Sequence, residues 1–369
     1  MNSRIIGDLA YLAACAVNGE IPDKSRIREM NLGQLYLAAD KHMLTAVLAY
    51  ALEAADVANE EFTQAKARAI RKIVLMDAEK KAVLSRLEDA GIWYLPLKGA
   101  VLKDLYPAIG MRQMSDFDIL IDSSRRSEIN QIMIASGFRK AHSSFVDDAY
   151  YKEPVSNFEL HSHLFSKTHK NLFSYFENIN KKMLPDRDNC YGRHLGYEDF
   201  YIYMIAHEYK HYAGGGTGIR SLLDQYVILK KTGDQIDWKY ISAELEKIGL
   251  ASFERKNRSL SEHLFSGKPL TGEEQEMLEY IAGSGTYGNI KNSVENGVRD
   301  RGDGTAGSVR YFLSRAFLTM DQVQDSFPFF YRWKILLPLL PFFRLVRGIT
   351  FRRKKMRGEL KALWQIKKR

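Results

Sequence analysis

The sequence predicts an α+β protein in which a small mixed β-sheet is embedded between mostly α-helical N- and C-terminal regions. Three observations predict it. Apolar residues recur at helical spacing from Leu9 to Ala90, short apolar runs suited to strands fall between Ile92 and Leu164, and helical spacing returns from Glu198. At 369 residues the chain is longer than a usual single domain. These shifts in texture divide it into a helical region 1–90, a core 91–165, a helical domain 166–300 and a C-terminal helical segment 301–369 with a basic tail. No repeat of fixed period supports a solenoid.

In the first region Leu32, Leu35, Tyr36 and Ala39, then Ile73, Met76, Val83, Leu84 and Leu87, follow the helical stripe, and Gly91 supplies a stop. Ile92 to Leu97 reads as a buried strand, and Gly99 to Tyr106 as a brief helix closed by Pro107. From Asp116 to Asp122 the period is two, with Phe117, Ile119 and Ile121 on one face and the acids with Leu120 on the other. Ser123 or Ser124 then caps a helix that ends near Gly137. Phe138–Phe145, Ala149–Lys152 and Val155–Leu164 read as strands. Helices follow over Tyr201–Tyr212, Ile219–Lys231, Tyr240–Ile248 and Glu273–Ile281, interrupted by the run Gly214 to Gly216.

Composition narrows the function classes. Cys15 and Cys190 are too few for a disulfide framework and lack C-x-x-C spacing, which suits a reducing cytoplasm. The apolar run Leu9–Val17 reads as a helix and not as a secretion signal. Net charge is +9, yet between Phe342 and Arg369 eleven Lys or Arg stand against Glu359 alone. A uniformly basic nucleic-acid-binding surface is therefore not expected, because the excess sits in one terminal segment.

Residues two apart on a strand point the same way, so Asp116 and Asp118 present paired carboxylates. Two adjacent acids repel unless a cation sits between them, and magnesium bridges such carboxylates to substrate phosphates. Upstream, Lys98-Gly99 stands where a strand becomes a helix, a place where backbone N–H groups and a glycine's open space suit phosphate. Glu159 on a later strand, with His161 and His163 on its face, offers a third acid. Three carboxylates from two strands can clamp two ions.

The arrangement Leu97-Lys98-Gly99, Leu102, Leu105-Tyr106-Pro107, Arg112 and Asp116-Phe117-Asp118-Ile119-Leu120 resembles a bacterial nucleotidyltransferase family of the DNA polymerase β superfamily. Glu159-Leu160-His161 is similar to its third-carboxylate strand, and His207, His211, Gly218-Ile219-Arg220 and Leu223-Asp224 to its helical continuation. The resemblance implies a polymerase β-type core at 91–165. It further implies transfer of a nucleoside monophosphate from a nucleoside triphosphate, ATP among them, to an acceptor hydroxyl with release of pyrophosphate. In that expectation Asp116, Asp118 and Glu159 are catalytic and ligate two Mg2+, while Lys98, Gly99, Arg112, His161 and Arg220 bind the nucleotide. The superfamily's usual Gly-Gly or Gly-Ser pair is Gly99-Ala100 here, which leaves a catalytically silent, nucleotide- or partner-binding relative as an alternative.

His207-Glu208-Tyr209-Lys210-His211 also satisfies His-Glu-x-x-His, which on a helix suits a zinc hydrolase. The extended metalloprotease pattern fails, because position 217 is Thr217 instead of histidine. Asp224 is expected to pair with Arg220 across one helical turn. In the last region Phe327–Ile349 is apolar, but Arg332, Lys334, Pro338, Pro341, Arg344 and Arg347 break it below the length of a membrane span. Beside Arg352-Arg353-Lys354-Lys355 it suits peripheral contact with a membrane or another polyanion.

Overall fold

A computed structural model describes residues 2–302, 304–351 and 353–367. Its centre is a seven-stranded mixed sheet made of β1 (Tyr94–Pro96), β2 (Phe117–Ile121), β3 (Arg139–Ser143), β4 (Asp147–Lys152), β5 (Ser156–His161), β6 (Met183–Asp186) and β7 (Asn189–Leu195). The order is β3-β4-β5-β2-β1-β7-β6. β2 runs parallel to β5 and antiparallel to β1. The alternation in β2 does what a period of two requires. Phe117, Ile119 and Ile121 pack with Ile73, Met76 and Val83 of the helix Glu60–Asp89, whereas Leu120 packs on the opposite side with Phe200, Tyr203 and Ile205. Being covered on both faces, every residue of β2 is buried.

The sheet is larger than expected and continues past residue 165. The hairpin β6–β7 carries Pro185, Arg187, Asp188 and Gly192, a polar, irregular stretch without apolar alternation. It joins the sheet through one parallel pairing of β7 with β1. The helix Lys170–Phe176 was likewise not expected, and Ala251–Ser266 has an apolar stripe too broken by charge to stand out.

Helix boundaries follow local chemistry. Glu60–Asp89 starts where the Asn59 side chain accepts from the Phe62 N–H, and stops at Gly91, whose φ of +66° only glycine adopts without strain. The expected Ser123 or Ser124 cap is corrected: Asp122 caps a 3-10 turn Ser123–Arg125, accepting from the Ser124 N–H at 3.0 Å, and the helix Arg126–Ala135 follows without a side-chain cap of its own. The N-terminal helices Ser3–Asn18 and Thr45–Ala54 share one core with Ile219–Thr232, Ala251–Ser266 and Gly272–Ser284, through Leu12, Val47, Leu222, Leu260 and Ile281. Two helical regions distant in sequence thus form one body against which the sheet rests.

The last segment folds as Gly304–Ala316, Met320–Ser326, Pro328–Arg332, a 3-10 turn Lys334–Leu339 with Pro338 inside it, Leu340–Phe351 and Arg353–Lys367. Among the described residues no helix is long and apolar enough to cross a membrane. Of the basic run, Arg352 lies outside the described residues, as do Lys368 and Arg369. Cys15 is buried, Cys190 exposed, and both are free thiols.

Candidate functional site

The site begins with strand register. The parallel pairing of β2 with β5 sets Asp118 opposite Glu159 and Leu120 opposite His161. Asp118, Glu159 and His161 offer ligand atoms that all lie within 4.8 Å of one another. Asp116 sits one residue before β2 and lines the same cleft, which has a volume of about 360 Å³.

Between β1 and the short helix Gly99–Leu102, Lys98 takes φ +44°, a conformation that L-residues with a side chain rarely adopt. That turn carries its ammonium to Asp118: Lys98 Nζ is 2.6 Å from Asp118 Oδ1, and His161 Nε2 is 2.8 Å from the same oxygen. Gly99 is closely packed by side chains of this protein. A Cβ there would stand 2.4 Å from Arg112 Nη1 and 2.7 Å from Met114 Cε, so the space is occupied by this protein's own side chains. The N–H groups of Ala100, Val101 and Leu102 turn back onto the carbonyls of Leu97 and Lys98, which leaves little of the expected backbone cradle.

Crowding of like charge sets the electrostatics. Burial works to raise Asp118, but the Lys98 ammonium and the His161 hydrogen bond outweigh it and hold the carboxyl well below the usual range. Asp116 is raised, by burial and then by Asp118. Glu159 is pushed up to about 7 by burial, then by Asp118 and Asp116. Lys98 pairs directly with Asp118, while Asp116 feels Lys98, Arg220 and Lys72 only at a distance.

Arg112 is neither a solvated charge nor free for phosphate. It is buried, and its Nε and Nη2 bind Asp224 Oδ1 and Oδ2 at 2.8 and 2.9 Å, while the Tyr106 hydroxyl donates to Oδ1 at 2.8 Å. The expected Arg220–Asp224 pair is therefore replaced by Arg112–Asp224. Arg220 instead donates from Nη1 to the Gln113 carbonyl at 2.9 Å and lines the cleft. Burial, then the neighbouring Arg112, lowers its pKa.

On the facing wall the helix Tyr197–Gly214 brings His207 and His211 together, Nε2 to Nε2 at 3.0 Å. Desolvation in the cleft, with nearby Lys98 and Lys210, lowers both imidazoles, His211 to about 3, although the His211 side chain itself is exposed. Glu208 lines the same cleft but is buried, and its Oε2 accepts from Asn257 Nδ2 at 3.0 Å. Among the described residues neither histidine belongs to a group of three or more metal-ligating side chains.

Sequence reasoning missed Tyr287 and Thr286, which also line the cleft. The Tyr287 hydroxyl is 2.7 Å from Ser115 Oγ, next to Asp116, although the side chain is largely exposed. Nothing local marks this residue, because it lies in a loop 171 positions beyond Asp116 in the chain. Lys210 was visible only as a filler of the histidine pattern. Burial and then Lys98 push it down to about 8.

Compared with protein families, the chain matches over residues 28–266 one described as uncharacterised nucleotidyltransferase. The chain belongs to this family. The matched span of this nucleotidyltransferase family includes Lys98, Asp116, Asp118, Glu159, His161 and Arg220, whereas Thr286, Tyr287 and the C-terminal helices lie beyond it. A solved structure described as an antigenic nucleotidyltransferase-like protein from Paracoccidioides brasiliensis aligns with 56% of this chain and 96% of its own, at 17% identity and a TM-score of 0.33. No curated protein matches the chain.

Proposed function

We propose that this family member is a magnesium-dependent enzyme of the polymerase β type, moving a nucleoside monophosphate from a nucleoside triphosphate to a hydroxyl of an acceptor. The observation that carries the reading is the β2–β5 register that sets Asp118 beside Glu159, with Asp116 at the entry to the same strand. Carboxylate oxygens are the hard donors that magnesium prefers, and a crowd of acids too close to ionise freely is relieved by a divalent cation. The donor set therefore suits Mg2+, held by Asp116, Asp118 and Glu159. His161, already bonded to Asp118, orients that carboxylate in preference to acting as a ligand.

Bound there, magnesium supplies neutralisation of phosphate charge and acidifies an acceptor hydroxyl. The protein's own groups do the rest. Lys98 keeps Asp118 ionised. Arg220, which lines the cleft, would meet phosphate oxygens there. Glu159, whose side chain is 38% exposed, is open to an incoming hydroxyl and its proton. The new bond joins the acceptor oxygen to the α-phosphorus, the bond to the β-phosphate oxygen breaks, and pyrophosphate leaves. Two unpaired cysteines and a triphosphate donor fit work in the cytoplasm.

Calorimetric titration of each nucleoside triphosphate, with and without magnesium, tests this in the parent and in Glu159→Gln and Asp116→Asn, which leave the Lys98–Asp118 pair intact. Magnesium-dependent binding of one triphosphate that weakens at least roughly tenfold in both variants is expected. Failure of every triphosphate to bind the parent would end the transferase reading and leave the silent relative.

A further inference from the structure

Large apolar side chains left in water are scattered singly before residue 308 but crowd together after it. The helix Leu340–Phe351 shows the pattern best. Among its residues whose side chains are described, Leu340 alone is buried, while Phe342, Leu345, Val346 and Ile349, which recur at i, i+3, i+4 and i+7, are 71%, 55%, 60% and 42% exposed. A helix that docks on its own protein turns such a stripe inward, whereas this one turns it out. The helix Pro328–Arg332 extends the surface: Phe330 lies 5.4 Å from Phe343 and 5.7 Å from Phe329, which is 59% exposed. Trp333 and Ile335 follow at 53% and 85%. A patch of this kind on a soluble chain marks a contact surface.

Charge selects what covers it. Between Asp325 and Glu359 there is no acidic residue, and nine Lys or Arg occur. Arg332, Lys334 and Arg347 are exposed among the apolar side chains themselves. A protein partner matched to the apolar stripe would not need so many cations, and a nucleic acid would not need the stripe. An anionic bilayer surface uses both, taking phenylalanine, leucine and tryptophan into the headgroup boundary and lysine and arginine against lipid phosphates.

We propose that the surface built by residues 327–349 rests on an anionic membrane, in the plane of the interface and without crossing it. The body stays attached through the other side of the segment. The Arg315–Glu359 pair and the bond from Arg344 Nη1 to the Ala316 carbonyl tie the segment's own helices together, and the core of Val294, Val298, Tyr311 and Ala362 fastens it to the helix Ile290–Arg299. Lys167 and Ser166 reach Gln324 and Asp325 of the helix Met320–Ser326. This inference does not depend on the transferase reading.

The test is co-sedimentation of the full chain with vesicles of phosphatidylcholine alone and of phosphatidylcholine mixed with phosphatidylglycerol. Binding to the mixed vesicles, weakened by added salt, is expected. Phe342→Ser/Val346→Ser/Ile349→Ser should abolish it without moving the thermal unfolding midpoint, because these side chains touch water. Arg332→Glu/Lys334→Glu/Arg347→Glu should weaken it at least roughly tenfold. Absence of parent binding to the mixed vesicles, or equal binding by both variants, overturns the proposal. So does a parent dimer in sedimentation equilibrium that the apolar triple variant splits while vesicles stay unbound, which would make the face a contact between copies. Binding of heparin or an oligonucleotide with no vesicle binding would overturn it in favour of a polyanion site.

Discussion

Two buried carboxylates in this cleft have opposite tasks, and their neighbours decide which. Asp118 faces Lys98 and His161 and borders the open space of the cleft, whereas Asp224 is closed off by a guanidinium fork and a tyrosine hydroxyl. A buried fork of this kind is a support, since taking away one partner strands the other charge in a dry place. Arg112→Ala should therefore cost about 3–5 kcal/mol in urea unfolding, and Arg112→Lys should recover only part of it because an ammonium cannot reproduce two parallel bonds. A loss below about 1 kcal/mol would return Arg112 to the list of phosphate ligands. Nothing in the sequence near Arg112 announces this pairing. Its partner lies 112 positions away, and a nearer basic residue, Arg220, offered the simpler i,i+4 match.

At the scale of elements, the glycine run after the helix Tyr197–Gly214 sets how the loop holding Tyr287 sits over the cleft. Gly218 has no room for a side chain, because a Cβ would lie 2.9 Å from both the N and Cα of Thr286. Gly214, at the end of the helix, has nothing within 4 Å. Gly218→Ala should push the 284–289 loop outward, lower the thermal unfolding midpoint and weaken triphosphate binding. Gly214→Ala should leave binding alone and stabilise by roughly 0.5–1 kcal/mol, the ordinary gain of alanine over glycine in a helix. Equal behaviour of the two variants in differential scanning calorimetry and nucleotide titration would show that the loop does not depend on this close approach. The sequence displayed the glycines as a break between helices. That Gly215 and Gly216, with Gly218 beyond the run, serve a distant loop is a consequence of packing, with Gly216 against Ser284 and Gly215 beneath Asn289.

For the whole molecule, the two helical regions are joined at His42 and Lys41. His42 Nδ1 accepts from the Ile219 N–H at 3.1 Å, and Lys41 Nζ donates to the Ala282 and Gly283 carbonyls at 3.1 and 2.8 Å. Burial, then the charge of Lys41, pushes His42 down to about 4 from its ordinary 6.5. A group whose folded pKa is depressed binds its proton first in the unfolded chain. Stability is therefore intact above about pH 6.5 and falls as pH drops towards 4, by about 3 kcal/mol from this residue. His42→Gln, which cannot titrate, should flatten the denaturation midpoint against pH in that window, and an unchanged slope would assign it to other groups. By itself the sequence determined where several helices, Tyr197–Gly214 and Ile219–Thr232 among them, and the first strands run, that Phe117, Ile119 and Ile121 share one face, and that Asp116 and Asp118 stand two apart on or beside a strand. Those features follow from periodicity, which is local. Only the tertiary structure decided that Glu159 lies beside Asp118, that Arg112 belongs to Asp224, that Glu208 turns to Asn257 and that Tyr287 overlooks the cleft. Each of these depends on how elements far apart in the chain register and cross, and on which buried charge has no cheaper partner.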